Sequence, residues 1–267
     1  MSKKKARIGI CRLCGEKREL TFEHVPPRVA FNKTTRYVSV PLLDYAKADD
    51  PLNFKPKGKV SQGGTGRYAL CGSCNNFLGS NYVNAYKNWV YAGREVLNKG
   101  NYQYLRYDAN NQEPLKILKQ VISMFLSINA EWYLEDFPEL SNFVKDPNSN
   151  DLPDRYRVFA YLNNEGNIRN FHHSVFYSPS LGGAVNCSEI SFPPYGYVLT
   201  IDFNKDINIL SNITGFKNYS INDKVCLNME MFNLPTHLQF PFDYRSKEKI
   251  AKDIKEENEI MKNNNEK

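Results

Sequence analysis

Cys11-Arg12-Leu13-Cys14, then Glu23-His24, then Cys71-Gly72-Ser73-Cys74-Asn75-Asn76: the fold turns on these three stretches. Each CxxC turn offers two thiolates to one ion. Two such turns have the spacing of a closed tetrahedral zinc site, in which the metal closes a long loop. A shell of four cysteines has no open position for water, so a zinc held there would be structural. A structural zinc alone needs neither a carboxylate beside an imidazole inside the loop nor an amide directly after the last ligand. The pattern therefore suggests a zinc-stapled scaffold that carries a second, catalytic group. A small module with little core of its own would depend on that metal to fold.

Working outward, Glu19-Leu20-Thr21-Phe22 reads as a short strand ending at Glu23-His24, and Pro26-Pro27 forces an extended exit. Residues 45–67 are polar and loop-like. From Asn75 to about Leu97 the apolar residues Phe77, Tyr82, Tyr86, Trp89 and Val90 recur at helical spacing without proline. Pro114 sits where a first-turn proline belongs, and Leu115, Leu118, Val121, Ile122, Phe125 and Ile128 form a second helical stripe. From about Asp154 the pattern changes to strands. Tyr156–Leu162, a turn over 163–167 and a return from Ile168 to Tyr177 read as a hairpin. Further β-rich segments are Cys187–Phe192, Tyr197–Phe203, Ile207–Ile213 and Val225–Phe232. The expected organisation is a zinc module over 1–100, an α+β domain over 101–245, and a charged helical tail over 246–267 that frays into disorder.

Composition bounds the function. The 267 residues are 41% hydrophobic, with a mean hydropathy of −0.56. No apolar run approaches the roughly 20 residues of a membrane span. The N-terminus is basic without an apolar segment behind it, so a cytoplasmic protein is expected, in which paired cysteines are ligands rather than disulfides. Cys187 and Cys226 stand apart and are expected to be buried free thiols. Net charge is +6 and unevenly spread: residues 1–100 hold 18 Lys/Arg against 7 Asp/Glu, the remainder 17 against 22. The half with the cysteines is the basic half, which fits a polyanion such as DNA as its partner.

The segments Leu20-Thr21-Phe22-Glu23-His24-Val25-Pro26-Pro27 and Gln62-Gly63-Gly64 through Leu70-Cys71-Gly72-Ser73-Cys74-Asn75-Asn76-Phe77-Leu78-Gly79-Ser80 resemble the zinc-containing branch of the HNH, or ββα-metal, endonucleases. The resemblance covers about the first 90 residues. It implies an N-terminal zinc-stapled ββα-metal module; with the helix and mostly antiparallel β-rich domain read from the pattern of the later residues, the chain is expected to be α+β. It implies phosphodiester hydrolysis in DNA, with His24 as general base, Glu23 as hard oxygen ligand to one Mg²⁺ or Mn²⁺, and Asn75 as second ligand. Asn76 is a substitute for Asn75. Asn84, nine residues on along an expected continuous helix, is a third candidate. A service in restriction or phage defence is implied at family level only. The long interval from His24 to Cys71 requires part of 36–60 to loop out, and no residue is assigned as the central amide that orients the histidine.

Arg28, Arg36, Lys55, Lys57 and Lys59, with Lys3, Lys4 and Lys5, are expected to hold the DNA backbone through phosphates. The α+β half could select targets, form a homodimer or bind a protein partner. Gly63-Gly64-Thr65-Gly66 is not a P-loop, because no Lys-Ser/Thr follows. His172-His173 would face opposite sides of a strand. The alternative function is a zinc-knuckle nucleic-acid-binding module without catalysis, in which Glu23 and His24 only stabilise the knuckle.

Overall fold

A computed structural model describes residues 6–48, 50–178 and 181–265; Lys3, Lys4 and Lys5 lie outside the described residues. Strand β1 (Ile8–Ile10) pairs antiparallel with β2 (Lys17–His24). The next 40 or so residues contain only short elements: β3 (Arg36–Tyr37), α1 (Leu42–Ala46) and β4 (Ser61–Gln62), with β3 and β4 forming a two-residue ladder. That excursion is the loop that the long His24–Cys71 interval required. Strand β5 (Gly66–Cys71) then returns to β2, completing a sheet of order β1-β2-β5. A bulge falls where Thr21 pairs with Leu70 and Phe22 with Tyr68.

Helix α2 (Gly72–Asn81) follows β5 without a linker, and α3 (Val83–Asn98) follows α2. The expected single helix is thus broken at Tyr82, whose φ is −123°. Gly79-Ser80-Asn81 favours helix weakly. The Asn81 amide donates to the Phe77 carbonyl, and the fully buried Tyr82 donates its hydroxyl to Val144 O at 2.6 Å. Burying that corner repays the broken helical ladder. The chain also leaves β2 differently from expectation: Ala30 N bonds Pro27 O, so a turn replaces an extended exit.

Strand β6 (Tyr104–Gln112) leads to α4 (Pro114–Ile128), with Pro114 in the first turn as read from sequence. Every α4 residue except Lys116 is buried, so the helix is surrounded rather than covered on one stripe. Two short helices, α5 (Trp132–Asp136) and α6 (Pro138–Lys145), precede the main sheet. That sheet contains β7 (Tyr156–Leu162), β8 (Arg169–Ser178), β9 (Gly183–Phe192), β10 (Tyr195–Ile201) and β11 (Ser211–Asn212), in the order β11-β7-β10-β9-β8. The expected β7–β8 hairpin does not form. β7 pairs with β10 and β11, while β8 lies at the far edge against β9. The tight reversal is instead Pro193-Pro194, which joins Phe192 to Tyr195. Of the expected strand 207–213 only Ser211 and Asn212 pair; Ile207 and Leu210 are buried from a loop. β12 (Val225–Phe232) pairs with β6 across more than a hundred residues of chain, and α7 (Lys247–Asn265) closes the described chain.

The architecture is mixed α and β with antiparallel sheets. One continuous cluster of buried side chains runs from Cys11 and Leu13 through Trp89 and α4 to Tyr195 and Met231. At its centre the Trp89 ring stacks on Tyr195 at 4.7 Å and donates to the Tyr197 hydroxyl at 3.0 Å, joining α3 to β10. Gly93 is required there, because a Cβ would fall 2.5 Å from the Tyr195 ring. Among the described residues no helix is long and apolar enough to cross a membrane.

Candidate metal centre and strand-end histidine

The first CxxC forms a knuckle closed by Gly15 N to Cys11 O at 2.9 Å and Cys11 N to Glu16 O at 3.0 Å, with Gly15 at φ +76°. Arg12 N bonds Ala69 O and so fastens the knuckle to β5. The second CxxC lies where β5 becomes α2, with Cys71 as the N-cap residue. There the helix's positive end favours a thiolate. The Sγ atoms of Cys11, Cys14, Cys71 and Cys74 all lie within 4.8 Å of one another. Zinc–sulfur bonds of about 2.3 Å would set tetrahedral sulfurs about 3.8 Å apart. Contraction by about an ångström or less therefore closes the shell, and the donor set fits a structural zinc. Although burial opposes it, the Ser73 hydroxyl, 3.1 Å from Cys71 Sγ, helps bring that thiol down to about 6. Cys187 is buried as expected, but Cys226 is exposed; on β12 the side chains alternate, and Cys226 falls on the outer face beside Leu227.

Glu23 and His24 occupy the last two positions of β2, where the strand period sends neighbouring side chains to opposite faces. Their surroundings differ accordingly. His24 shares a face with Phe22, ring centroids 5.0 Å apart, and is half-buried. Its Nε2 lies 3.1 Å from Gly63 O. A carbonyl can only accept, so Nε2 carries the proton and Nδ1 keeps a free lone pair. Burial lowers the imidazole pKa, Gly63 O opposes that, and the nearby Arg28 cation lowers it further, so the ring stays neutral at physiological pH.

Glu23 is only 7% exposed, and its carboxyl has no hydrogen bond or ion pair among the described residues. Burial pushes its pKa up to about 7. Arg67 stands opposite it in the β2–β5 ladder but sends its guanidinium elsewhere, to Ile128 O and His172. Asn75 ends the first turn of α2, and its Nδ2 donates to Thr21 Oγ1 at 3.0 Å, two residues before Glu23 on β2. Its Oδ1 is left without a protein partner among the described residues. Asn76 is exposed. Asn84 lies beyond the break at Tyr82, on α3, so it does not share a helical face with Asn75.

Sequence reading did not find Asn32. Fully buried, its amide donates to Pro26 O at 2.7 Å and Thr65 O at 2.8 Å, and accepts from Thr65 N at 2.7 Å. Thr65 Oγ1 in turn bonds Val25 O. This lattice pins the residues after His24 to those before β5. Gly64, at φ +105°, completes it: a Cβ would fall 2.1 Å from Asn32 O and 2.7 Å from His24 Cδ2. Gly64 thus leaves room to seat the imidazole. The only sequence hint was an asparagine a few residues after the Pro26-Pro27 pair, too common a feature to single out.

Arg28, Arg36, Lys55, Lys57 and Lys59 are all exposed; the three lysines line one loop after α1. His172 and His173 part company as expected. His172 meets Arg67, whereas His173 packs among Trp132, Tyr133 and Phe137. No family model, curated protein or solved structure matches the chain.

Proposed function

We propose that the protein is a metal-dependent endonuclease of HNH type that hydrolyses phosphodiester bonds in DNA. One observation carries the reading: an antiparallel pair β2–β5 runs straight into α2, clamped at one end by the four-cysteine cluster and ending at the other in a neutral histidine with a free Nδ1. In that role His24 Nδ1 would take the proton from the attacking water, while the Nε2–H bond to Gly63 O holds the ring and strengthens the base. Glu23 and Asn75 Oδ1 are hard oxygen donors without protein partners among the described residues, and they would hold one Mg²⁺ or Mn²⁺. Such an ion supplies positive charge for the phosphorane and leaving oxygen. A divalent ion would also compensate a carboxylate that the fold leaves buried and unpaired. The exposed basic side chains on the same half would hold the strand through its phosphates. A role in restriction or phage defence is an extension of the family resemblance.

The placement of Glu23 and His24 on opposite faces favours a second reading, a zinc-stabilised nucleic-acid-binding module without catalysis. Supercoiled plasmid, with and without added Mg²⁺ or Mn²⁺, separates the two. Nicking that requires the ion and disappears in His24→Ala at unchanged zinc content is the expected result. DNA binding without nicking under every ion condition would leave the binding module.

A further inference from the structure

A cavity of about 900 Å³ lies between the β3–α1 excursion and the edge strand β8. It abuts Val25, Thr65 and Gly66, the backbone next to His24, yet the metal-centre chemistry uses none of it. Its charge is one-sided. Arg36, Arg67, Arg169 and His172 line it, and among the described residues no acidic one does. Arg169 is accounted for by Glu189 at 3.0 Å and by the Leu238 and Asp243 carbonyls. Arg67 is not. It donates to Ile128 O and lies 2.8 Å from His172 Nε2, and no carboxylate pairs with it among the described residues. An arginine cannot relieve this by losing its proton, so a partly desolvated, unpaired guanidinium favours an anion. A neutral His172 accepts from Arg67 Nη2, which aims the fork.

One further feature narrows the anion. Tyr37, Tyr45 and Phe54 also line the cavity and supply aromatic surface. A bare phosphate would leave most of the volume and the aromatic surface unused, whereas a drug-sized ligand fills cavities of this order. Cation and aromatic surface together match phosphate and base ring.

We propose that this cavity binds a nucleoside monophosphate unit, with its phosphate against Arg67 and Arg36 and its base against the aromatic side chains. The unit could be a free nucleotide or one nucleotide of a DNA strand. The inference does not rest on the nuclease reading.

Titration calorimetry of the full zinc-loaded chain, in buffer without divalent ions other than zinc, tests it with three probes: dAMP or dCMP, a 5′-phosphorylated single-stranded oligonucleotide, and inorganic phosphate. Saturable binding of dAMP or dCMP, weakened roughly tenfold or more in Arg67→Gln and in Arg36→Ala, supports the site and a free nucleotide. Binding of the oligonucleotide alone, weakened in the same variants, supports the site and a strand nucleotide. Arg36 is exposed, so its variant stays informative if loss of the Arg67–Ile128 bond impairs folding. No binding of any probe by the wild-type chain overturns the proposal, as does binding that neither variant changes, or phosphate bound as tightly as the nucleotides. The assay reads no cleavage, so its outcome stands whether or not plasmid is nicked.

Discussion

At the residue scale, Glu23 and His24 show how adjacent side chains acquire different chemistry from strand geometry alone. His24 keeps contact with solvent and a neutral ring, whereas Glu23 turns inward and carries an elevated pKa. The elevated value makes a stability prediction with a definite sign. Below its ordinary pKa of 4.5 Glu23 is protonated in both folded and unfolded chains, and its burial is best tolerated. Between about pH 4.5 and about pH 7 the unfolded chain has released the proton while the folded chain still holds it, so stability falls across that window and levels off above it. Without added Mg²⁺ or Mn²⁺, Glu23→Gln should match the wild type at about pH 4.5 and exceed it by up to about 3 kcal/mol at about pH 8. Urea melts at both pH values check this, and a difference independent of pH would refute it. Gly64 gives a second test. In Gly64→Ala the new methyl would meet both Asn32 O and the imidazole. If His24 is the base, a shift of about 1 Å should lower nicking roughly a hundredfold at unchanged zinc content. Undiminished nicking would place the base elsewhere.

Elements differ in how far their sequences betray them. α4 was legible because a first-turn proline and a long apolar stripe are local signals, and β12 because its alternation survives in eight residues. β6 was not legible. Its run Asp108-Ala109-Asn110-Asn111-Gln112 has poor strand preference, and its partner β12 lies far along the chain. The β7–β8 hairpin was misread for the related reason that a Gly-containing turn marks a reversal without naming the partner strand. The cysteine pairs and the strand-end dyad were legible as spacing and chemistry; Asn32 and the cavity were not, since only the tertiary fold brings residue 32 to 65 or Arg67 to His172. One buried residue ties such elements together. Lys119, on α4, donates to the Phe143, Asp146 and Ser149 carbonyls and so satisfies the C-terminal end of α6. Lys119→Met fits the space but strands three acceptors. It should cost roughly 3 kcal/mol or more in denaturant melts, and a loss below about 1 kcal/mol would mean that water replaces the ammonium.

For the molecule as a whole, the central issue is whether the metal centre supports its own module or the entire chain. The knuckle does not stand alone. Arg12, between the first two ligands, bonds Ile10 O and Asn129 O and pairs with Glu131 at 3.1 Å. Cys11 and Leu13 belong to the same buried cluster as α4 and β10, and Trp89 of α3 stacks on Tyr195. A shared core transmits a local loss. A zinc held by the four cysteines would contribute on the order of 10 kcal/mol to the folded state, comparable to the whole stability of a typical domain. Removing it by Cys14→Ser, or with a zinc chelator, should therefore lower one cooperative transition, detected equally by far-ultraviolet circular dichroism and, in a Trp132→Phe background that leaves Trp89 as the emitter, by tryptophan fluorescence. Restoring zinc to the chelated wild type should reverse the shift. Two resolved transitions, with the β-rich sheet melting where it did before, would instead mean that the residues beyond 100 fold without the metal. The Trp89–Tyr195 contact would then join two separately stable parts. A single transition is expected, because Trp89, on α3 before residue 100, is buried against Tyr195, Tyr197 and Phe216 beyond it.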